Sequence, residues 1–337
     1  MNRHLLDVDE VSAEEIELIL DRAQAFLDDG SASNELSGSR VALLFAEPST
    51  RTRLSFEIAA RDLGAQTFVI EPGASSMVKG ETLVDTCRNL SALGLDMLVL
   101  RHHRAGAPWV AARHFGGAVV NAGDGWHAHP TQALLDLLTL RRALGGADGL
   151  RGRKIVIVGD VLHSRVAKSN VLALSASGLH VWLCGPGPWL RGQDQLPATL
   201  TSDLDEGLGG AAAVMGLRVQ RERMRGSALS LDQYIEHYQL TERRLARAAP
   251  DAVYLHPGPI NEGIEVTREV ARGPRSLVLE QVRNGVAVRM AVLLRAAGRL
   301  RSGGRLEARP VPSAANVPPT DTYRTDIQRT DGADGAG

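Results

Sequence analysis

Three hydroxyl side chains and two arginines lie in the run Ser-Thr-Arg-Thr-Arg at residues 49–53. An apolar run of strand length precedes them at residues 41–45, and apolar residues at helical spacing follow from Leu54. The run therefore lies where a buried strand passes into a helix, whose free N–H groups and dipole favour an anion. Its hydroxyl and guanidinium groups add donors that suit phosphate oxygens. A Ser or Thr helix cap followed by solvated arginines is the alternative interpretation, and this run alone does not exclude it.

Further cationic side chains and a Pro-Gly-Pro turn occupy comparable positions elsewhere. Each follows an apolar run or opens a helix: Arg101, His129, Arg165, Arg218 and the turn at residues 256–259. Ligands in open α/β sheets bind outside the carboxyl ends of the strands, so these residues are expected to share one cleft. Four arginines there, including Arg51, would be costly to bury without anions, which predicts a substrate set with several negative charges. Positioning and charge stabilisation are the expected chemistry, because no carboxylate pair, Ser-His-Asp order or Cys-His pair stands out.

Strands alternate with helices along the chain. Apolar runs predict strands at about residues 41–45, 66–70, 96–100, 118–121, 154–158, 180–184, 211–217 and 251–255, with a turn at 122–125. Helical spacing predicts helices at about residues 11–29, 50–63, 83–93, 130–144, 164–178 and 286–299. Glycines at 145–152 predict a hinge between the two series. The pattern is typical of an α/β fold with two doubly wound parallel-sheet domains joined by helices.

The predicted domains span residues 1–145 and 146–284, with the C-terminal helix at 285–305 packing back on the first. Residues 309–337 are rich in Pro, Thr, Asp and Gly and predict a disordered tail. A composition of 44% hydrophobic and 23% charged residues, with a net charge of -1, favours a soluble globular protein without a nucleic-acid or membrane partner. Cys87 and Cys184 lack metal-type spacing, which favours buried thiols and a cytoplasmic location. The N-terminus does not have the pattern of a signal peptide.

Residues 44–57 (Leu-Phe-Ala-Glu-Pro-Ser-Thr-Arg-Thr-Arg-Leu-Ser-Phe-Glu) closely resemble the carbamoyl-phosphate motif of the aspartate and ornithine carbamoyltransferases. The resemblance covers about residues 5–300 in the family's order. It includes motifs at residues 79–82, 101–102, 121–132, 159–170, 218–223 and 256–265. Three features resemble the aspartate branch: His-Pro-Thr-Gln at 129–132, Gly-Asp-Val-Leu-His-Ser-Arg at 159–165, and Arg-Val-Gln at 218–220.

The resemblance implies transfer of the carbamoyl group of carbamoyl phosphate to the α-amine of L-aspartate. No metal, organic cofactor or covalent intermediate is implied, and the product would be the committed intermediate towards pyrimidines. The implied catalytic residues are Arg51, Thr52, Lys79, Arg101 and His129. The implied substrate-binding residues are Ser49, Thr50, Ser75, Gln132, Arg165, Arg218, Gln220, Pro257, Gly258 and Pro259.

By the same resemblance each part of the two substrates has its own residues. The phosphate is expected on the 49–52 run with Arg101, and the carbonyl oxygen on His129 and Thr52. The carbamoyl NH2 would be held by Gln132 and by the backbone carbonyls of Pro257 and Gly258. The carboxylates of aspartate would be held by Arg165, Arg218, Gln220 and Lys79.

Assembly and domain closure are also implied by the resemblance. In the family, the residues that match Ser75 and Lys79 reach into a neighbouring subunit's site, which implies a homotrimer. Pro259 matches the family's cis proline, and Glu47 is expected to pair with Arg165 across the domains. The resemblance leaves open whether regulatory chains or dihydroorotase bind.

Several residues have plainer interpretations when taken alone. Lys79 would be a solvated lysine, and His129 an ordinary polar residue at a helix start. His102, His103 and His127 are expected to be structural, and His163 has no assigned chemical role. Gly-Pro-Gly-Pro at 185–188 predicts a plain turn.

Two departures from the family pattern are Glu262, where many relatives have Arg, and Ala46, where Phe is usual. Glu262 puts in doubt one arginine contact that relatives make in the closed state. Ala46 puts in doubt the packing beneath the phosphate site. Two rival functions are a carbamoyltransferase with another amine acceptor and an inactive scaffold for an enzyme such as dihydroorotase. The surviving phosphate-site residues speak against the scaffold.

Overall fold

The computed structural model of the chain describes residues 3–30, 32–71, 73, 80–219 and 230–300. The elements of the first half, in chain order, are α1 Ala13–Asp29, β1 Arg40–Phe45, α2 Thr50–Asp62, β2 Gln66–Ile70, α3 Leu83–Ala92, β3 Met97–His102, α4 Ala107–His114, β4 Ala118–Asp124 and α5 Pro130–Ala143. A 3-10 helix, Asp148–Leu150, leads to the second half. There the order is β5 Lys154–Val158, α6 Arg165–Ala176, β6 His180–Cys184, α7 Gly187–Leu190, β7 Thr199–Thr201, α8 Leu204–Leu208, β8 Ala213–Gly216, α9 Leu231–Tyr238, α10 Glu242–Leu245, β9 Val253–Leu255, α11 Arg268–Arg272 and α12 Val278–Ala296.

The strands form two separate parallel sheets. Their orders are β2-β1-β3-β4 and β7-β6-β5-β8-β9, and every strand pair in both sheets is parallel. Each order reverses direction once, between β1 and β3 in the first sheet and between β5 and β8 in the second. Such a reversal is the topological switch point at which open α/β sheets bind ligands. The predicted fold class, two doubly wound parallel sheets, is confirmed.

Uninterrupted apolar runs explain why β1 and β5 lie in the interior of their sheets. Residues 41–44 of β1 and 155–158 of β5 are all buried, as expected for parallel strands covered by helices on both faces. The edge strand β2 is more exposed, and Phe68 and Val69 lie partly in solvent. The central strands therefore form the scaffold that positions the loops at their carboxyl ends.

The helix α12 packs against α1, α2 and α5, which confirms that the C-terminal helix returns to the first domain. The helix α5 also packs against α6 of the second half, and one apolar core includes Leu134, Ile155 and Val292. This shared layer of α5, α6 and α12 joins the two sheets. Among the described residues, no helix has both the length and the apolar character needed to cross a membrane.

Several sequence predictions differ from the structure in detail. The helix α12 begins at Val278, before the predicted start at 286, because its first turns mix polar and apolar residues. The strand β4 continues to Asp124 where a turn was predicted, since the buried Asn121 and Asp124 side chains bond each other and nearby backbone atoms. Residues 187–190 form the helical turn α7 and not a plain turn. Short elements without strong periodicity were missed: α4, β7, α8, α9, α10 and α11.

Some predictions concern parts of the chain outside the described residues. They are the tail at 309–337, the end of the predicted C-terminal helix beyond 300, and three site residues, Ser75, Lys79 and Gln220.

Candidate active site

A cleft of about 810 Å³ lies at the carboxyl ends of both sheets. Its walls come from the loops that follow β1, β3, β5, β8 and β9 and from the start of α5, so both switch points open into it. The structure brings all twelve described site candidates together there: Ser49, Thr50, Arg51, Thr52, Arg101, His129, Gln132, Arg165, Arg218, Pro257, Gly258 and Pro259. The convergence follows from strand direction, because parallel strands bring their carboxyl ends to one edge.

The N-terminus of α2 forms one wall of the cleft. Ser49 is the N-cap residue, but its side chain makes no capping hydrogen bond to the helix. Thr52 is buried and lines the cleft beside it. The first N–H groups of the helix and the Ser49 hydroxyl are therefore available to an anion. The helix-cap interpretation is met only in part, because Ser49 occupies the N-cap position and Arg51 is exposed, but the Ser49 side chain does not cap the helix.

Glu47 connects Arg101, at the carboxyl end of β3, with Arg165, the first residue of α6. Its Oε2 lies 3.3 Å from Arg101 Nε and 2.8 Å from Arg165 Nη2, so the expected pair between Glu47 and Arg165 is present. Gly123 lies between the guanidinium groups, and a Cβ on it would approach Arg101 Nη1 to 3.2 Å and Arg165 Cζ to 3.3 Å. Burial and the neighbouring charge of Arg165 lower the pKa of Arg101 to about 10. The Arg101 guanidinium therefore remains charged at neutral pH.

His129 is the N-cap residue of α5 and is followed by Pro130 in the first turn, as predicted. The backbone N–H of His129 donates to Ser169 Oγ at 2.9 Å, which ties the start of α5 to α6. Its side chain is 4% exposed and lines the cleft. Burial, helped by the charges of Arg101 and Arg165, lowers the pKa of His129 well below its usual value. The imidazole is therefore neutral, and its N–H can polarise a carbonyl.

The turn after β9 faces the N-terminus of α2 across the cleft. Its Gly258–Pro259 bond is cis, at the position expected for the family's cis proline, and Gly258 N–H donates to His256 Nδ1 at 2.8 Å. The Arg51 guanidinium packs directly on the backbone of Gly258, and a Cβ there would overlap it. Partial burial lowers the pKa of Arg51. The turn and the arginine thus form one contact surface between the two halves of the cleft.

Arg289 is a residue of the cleft that sequence reasoning missed. It is 4% exposed, donates from Nη1 to Gly285 O at 2.9 Å, and lies 5.1 Å from the Phe56 ring centroid. Burial lowers the pKa of Arg289 to about 10, so it too remains charged. The available signal was a charged residue within a strongly apolar helix, because a buried arginine requires a reason.

Other lining residues were named in the sequence without a role. His163 lies in the cleft wall with its Nδ1 2.9 Å from Asp160 Oδ1, and His103 also lines the cleft. His102 accepts from Arg104 N–H at 3.0 Å, as expected for a structural histidine. Glu262 forms an ion pair with Arg272 at 2.7 Å on the second half, so the family's usual arginine is replaced by a locally paired acid.

The charged residues that line the cleft indicate which substrates it can bind. Among the described residues that line it, five are arginines and two are carboxylates, Glu47 and Asp160. Within the same part of the chain, no group of three or more His, Cys, Asp and Glu side chains is arranged to hold a metal ion. The geometry suits small substrates with several negative charges, held by guanidinium forks and a helix N-terminus.

Two doubly wound sheets around an arginine-lined cleft define an α/β protein that binds anionic substrates at its switch points. Comparison with models of known protein families identifies the family within this class. The carbamoyl-phosphate-binding domain of aspartate/ornithine carbamoyltransferases matches residues 3–142, and the aspartate/ornithine-binding domain of the same family matches residues 151–296. The chain belongs to the aspartate/ornithine carbamoyltransferase family.

Relatives and solved structures agree with this membership. The chain is 49% identical over 301 residues to the aspartate carbamoyltransferase catalytic subunit of Roseiflexus sp. strain RS-1, covering 86% of this chain and 93% of that subunit. The ornithine carbamoyltransferase of Thermus thermophilus is similar in structure, with a TM-score of 0.78, 30% identity, and coverage of 89% of this chain and 100% of that one. The aspartate transcarbamoylase of Trypanosoma cruzi in complex with carbamoyl phosphate and aspartate gives a TM-score of 0.74 and 30% identity, covering 87% of this chain and 96% of that one.

Proposed function

We propose that this chain transfers the carbamoyl group of carbamoyl phosphate to the α-amine of L-aspartate, which releases N-carbamoyl-L-aspartate and phosphate. The observation that carries the proposal is the convergence of Arg51, Arg101, Arg165 and Arg218 on one cleft with a neutral His129. The reactants together carry a phosphate and two carboxylates, and the cleft carries the matching cations. The relatives named as aspartate carbamoyltransferase catalytic subunits support the same reaction.

The phosphate binds at the N-terminus of α2 in this proposal. Ser49, Thr50 and Thr52 supply hydroxyl and backbone donors, and Arg51 and Arg101 supply charge. These donors lie on a rigid helix start and so require little reorganisation when the phosphate leaves. The positive dipole end of the 13-residue helix adds to the same interaction.

The carbonyl oxygen of the carbamoyl group gains negative charge as the amine attacks. His129 donates to this oxygen as a neutral imidazole, and Thr52 and Arg101 lie on the same wall. A C–N bond forms to the uncharged α-amine and the C–O bond to phosphate breaks. The phosphate leaves with the bonding electrons and takes up the proton that the amine nitrogen loses. The residues act as an oxyanion hole, and no covalent enzyme intermediate is required.

The carbamoyl NH2 needs hydrogen-bond acceptors. The backbone carbonyls of Pro257 and Gly258, in the turn after β9, and the amide oxygen of Gln132, in the first turn of α5, fill this role. Arg165 and Arg218 bind the two carboxylates of aspartate, with Gln220 and Lys79 assigned by resemblance alone. L-ornithine would bring a cationic side chain to Arg218, and the like charges would repel.

A homotrimer with shared sites is part of the proposal. The helix α2 and the edge strand β2 expose four apolar side chains, Leu54, Ile58, Phe68 and Val69. Exposed apolar side chains next to an unpaired strand edge are typical of an interface with another chain. The strand β2 leads directly to the segment with Ser75 and Lys79, which would then complete a neighbour's cleft. A cytoplasmic location and a place in pyrimidine synthesis belong to the same proposal.

The test is formation of carbamoyl aspartate from carbamoyl phosphate and L-aspartate, with L-ornithine as the competing acceptor. Arg51→Ala should lower kcat/KM by about a thousandfold, because it removes a charged donor from the phosphate. Arg61→Ala is the matched control, since Arg61 lies on the same helix with a side chain 65% exposed and away from the cleft. An inactive wild-type trimer would indicate a scaffold, and preference for ornithine would place the chain in the other branch.

A further inference from the structure

A single buried carboxylate joins the layer of helices between the two sheets. Asp136, on α5, is 0% exposed and accepts three side-chain hydrogen bonds. Gln132 Nε2 and Gln281 Nε2 donate to its Oδ1 at 2.9 and 2.7 Å, and Asn170 Nδ2 donates to its Oδ2 at 2.8 Å. The donors come from α5, α12 and α6, so Asp136 contacts every helix of this layer.

An ionised carboxylate can only accept hydrogen bonds. Both glutamines must therefore turn their amide nitrogens towards Asp136 and their amide oxygens away from it. The oxygen of Gln281 accepts from the backbone N–H of His256 at 2.9 Å, at the start of the turn that contains Pro257 and Gly258. Gln132 lines the cleft, so the group that it presents there is its oxygen, a hydrogen-bond acceptor.

We propose that Asp136 is a positioning residue that sets the specificity of the cleft for an NH2 group in the donor substrate. It orients the amide of Gln132, and through Gln281 it holds the turn whose carbonyls face the same group. All the acceptors proposed for the carbamoyl NH2 thus depend on one carboxylate. The inference rests on the proposed function, because it assigns the part of carbamoyl phosphate that these acceptors recognise.

The charge state of Asp136 agrees with this role. Burial raises the pKa of its carboxyl to about 6, and its three hydrogen bonds and the Arg289 guanidinium act in the opposite direction. Asp136 is therefore mostly ionised at pH 7. Within the described part of the chain, Asn170 Oδ1 has no hydrogen-bond partner. That oxygen could accept from an amide placed at position 136.

Three variants separate orientation from mere stability. Asp136→Leu removes every acceptor and frees both glutamine amides. Asp136→Asn keeps an oxygen for the glutamines, while its new amide nitrogen can donate to Asn170 Oδ1 after that side chain turns over. Thr139→Val is the matched control. It removes an equally buried bond between α5 and α12, from Asn284 Nδ2 to Thr139 Oγ1 at 2.9 Å, one turn further from the cleft.

The binding affinities of two stable probes report the orientation of the Gln132 amide without requiring turnover. Phosphonoacetamide carries an NH2 group where 2-oxopropylphosphonate carries a methyl group, and calorimetry gives the affinity ratio. We expect the wild type to prefer the amide by about tenfold or more, the energy of one to two hydrogen bonds. Asp136→Leu should reduce this preference to about threefold or less, with affinity for inorganic phosphate unchanged, whereas Asp136→Asn and Thr139→Val should retain it.

The outcomes distinguish the two proposals. A wild type that binds neither probe and makes no carbamoyl aspartate contradicts the proposed function. An active wild type whose Asp136→Leu variant folds and keeps the amide preference, or whose Thr139→Val variant loses it, contradicts the role of Asp136. If Asp136→Leu does not fold, Gln281→Leu tests the proposal instead, because Gln281 links Asp136 to the turn that begins at His256. We expect it to lower kcat/KM about tenfold at unchanged phosphate affinity, and an unchanged kcat/KM would overturn the proposal.

Discussion

Gly258 offers a sharp test of the contact between the two halves of the cleft. Its φ is +65°, and a Cβ built on it would lie 2.6 Å from Arg51 Cζ. Ordinary contacts between carbon atoms are about 3.5 Å or longer, so Gly258→Ala requires the guanidinium, whose Nη1 lies closer still to the added Cβ, to withdraw by more than about 1 Å. A misplacement of that size at a reacting centre can cost about a hundredfold in rate. We therefore expect Gly258→Ala to lower kcat/KM for carbamoyl transfer by about two orders of magnitude.

Backbone strain contributes to the same variant and must be separated from the clash. An alanine in the left-handed region costs about 1 to 2 kcal/mol, which lowers stability without moving Arg51. Gly263→Ala provides the control, because Gly263 has a φ of +88° in the same segment. Apart from its chain neighbours, no residue that the structure describes lies within 4 Å of the added Cβ. Both variants should show a similar fall in Tm.

Steady-state kinetics with carbamoyl phosphate and L-aspartate should then show the loss in Gly258→Ala alone. Equal activity of the two variants would refute the reasoning, since strain without a clash would then explain everything. A Gly258→Ala variant with full activity would show that Arg51 does not need its present position.

Two further predictions concern protonation. Because burial raises the pKa of Asp136 to about 6, above its usual value, the folded state binds this proton more tightly than the unfolded chain does. The ionised carboxylate therefore costs stability above pH 6, by up to about 3 kcal/mol, and the cost disappears as the pH falls from 6 towards 4. Asp136→Asn should raise Tm at pH 8 and not at pH 4, and an equal shift at both values would contradict the assignment. Burial also raises the pKa of Cys87 to about 11 and that of Cys184 to about 12, so neither thiol should react with a disulfide reagent at pH 8 until the chain is unfolded.

The positions of the site residues could be predicted from the sequence because they depend on local patterns. Arg101 ends an apolar strand, Arg165 and His129 open helices, and the 49–52 run lies between a strand and a helix. Parallel strands bring all such ends to one edge, so strand direction alone predicts that these residues meet. The two sheets follow from the same alternation of apolar runs.

The contacts that orient the site could not be predicted in this way. Gln281 reaches Asp136 across 145 residues of sequence, and Asn170 reaches it from the other half of the chain. A polar residue on an apolar helix has no local signal for its partner, because the partner is chosen by the packing of α5, α6 and α12. The extension of β4 to Asp124 could not be predicted for a similar reason. It depends on hydrogen bonds that the Asn121 and Asp124 side chains make with each other and with nearby backbone atoms.

Burial is the common cause of the charge states in the cleft. It lowers the pKa of His129 until the imidazole is neutral, and it lowers the pKa of Arg101 and Arg289 to about 10 without discharging them. No group in this set needs to change its protonation between pH 7 and pH 8 for the cleft to work. Donors with fixed charge in a partly dry site stabilise a developing oxyanion far more than they would in water. The guanidinium groups of the cleft repel one another until anions arrive, and Glu47 is the carboxylate that contacts two of them, Arg101 and Arg165. Substrate binding and rate acceleration therefore have one physical origin, the concentration of positive charge at the carboxyl ends of the two sheets.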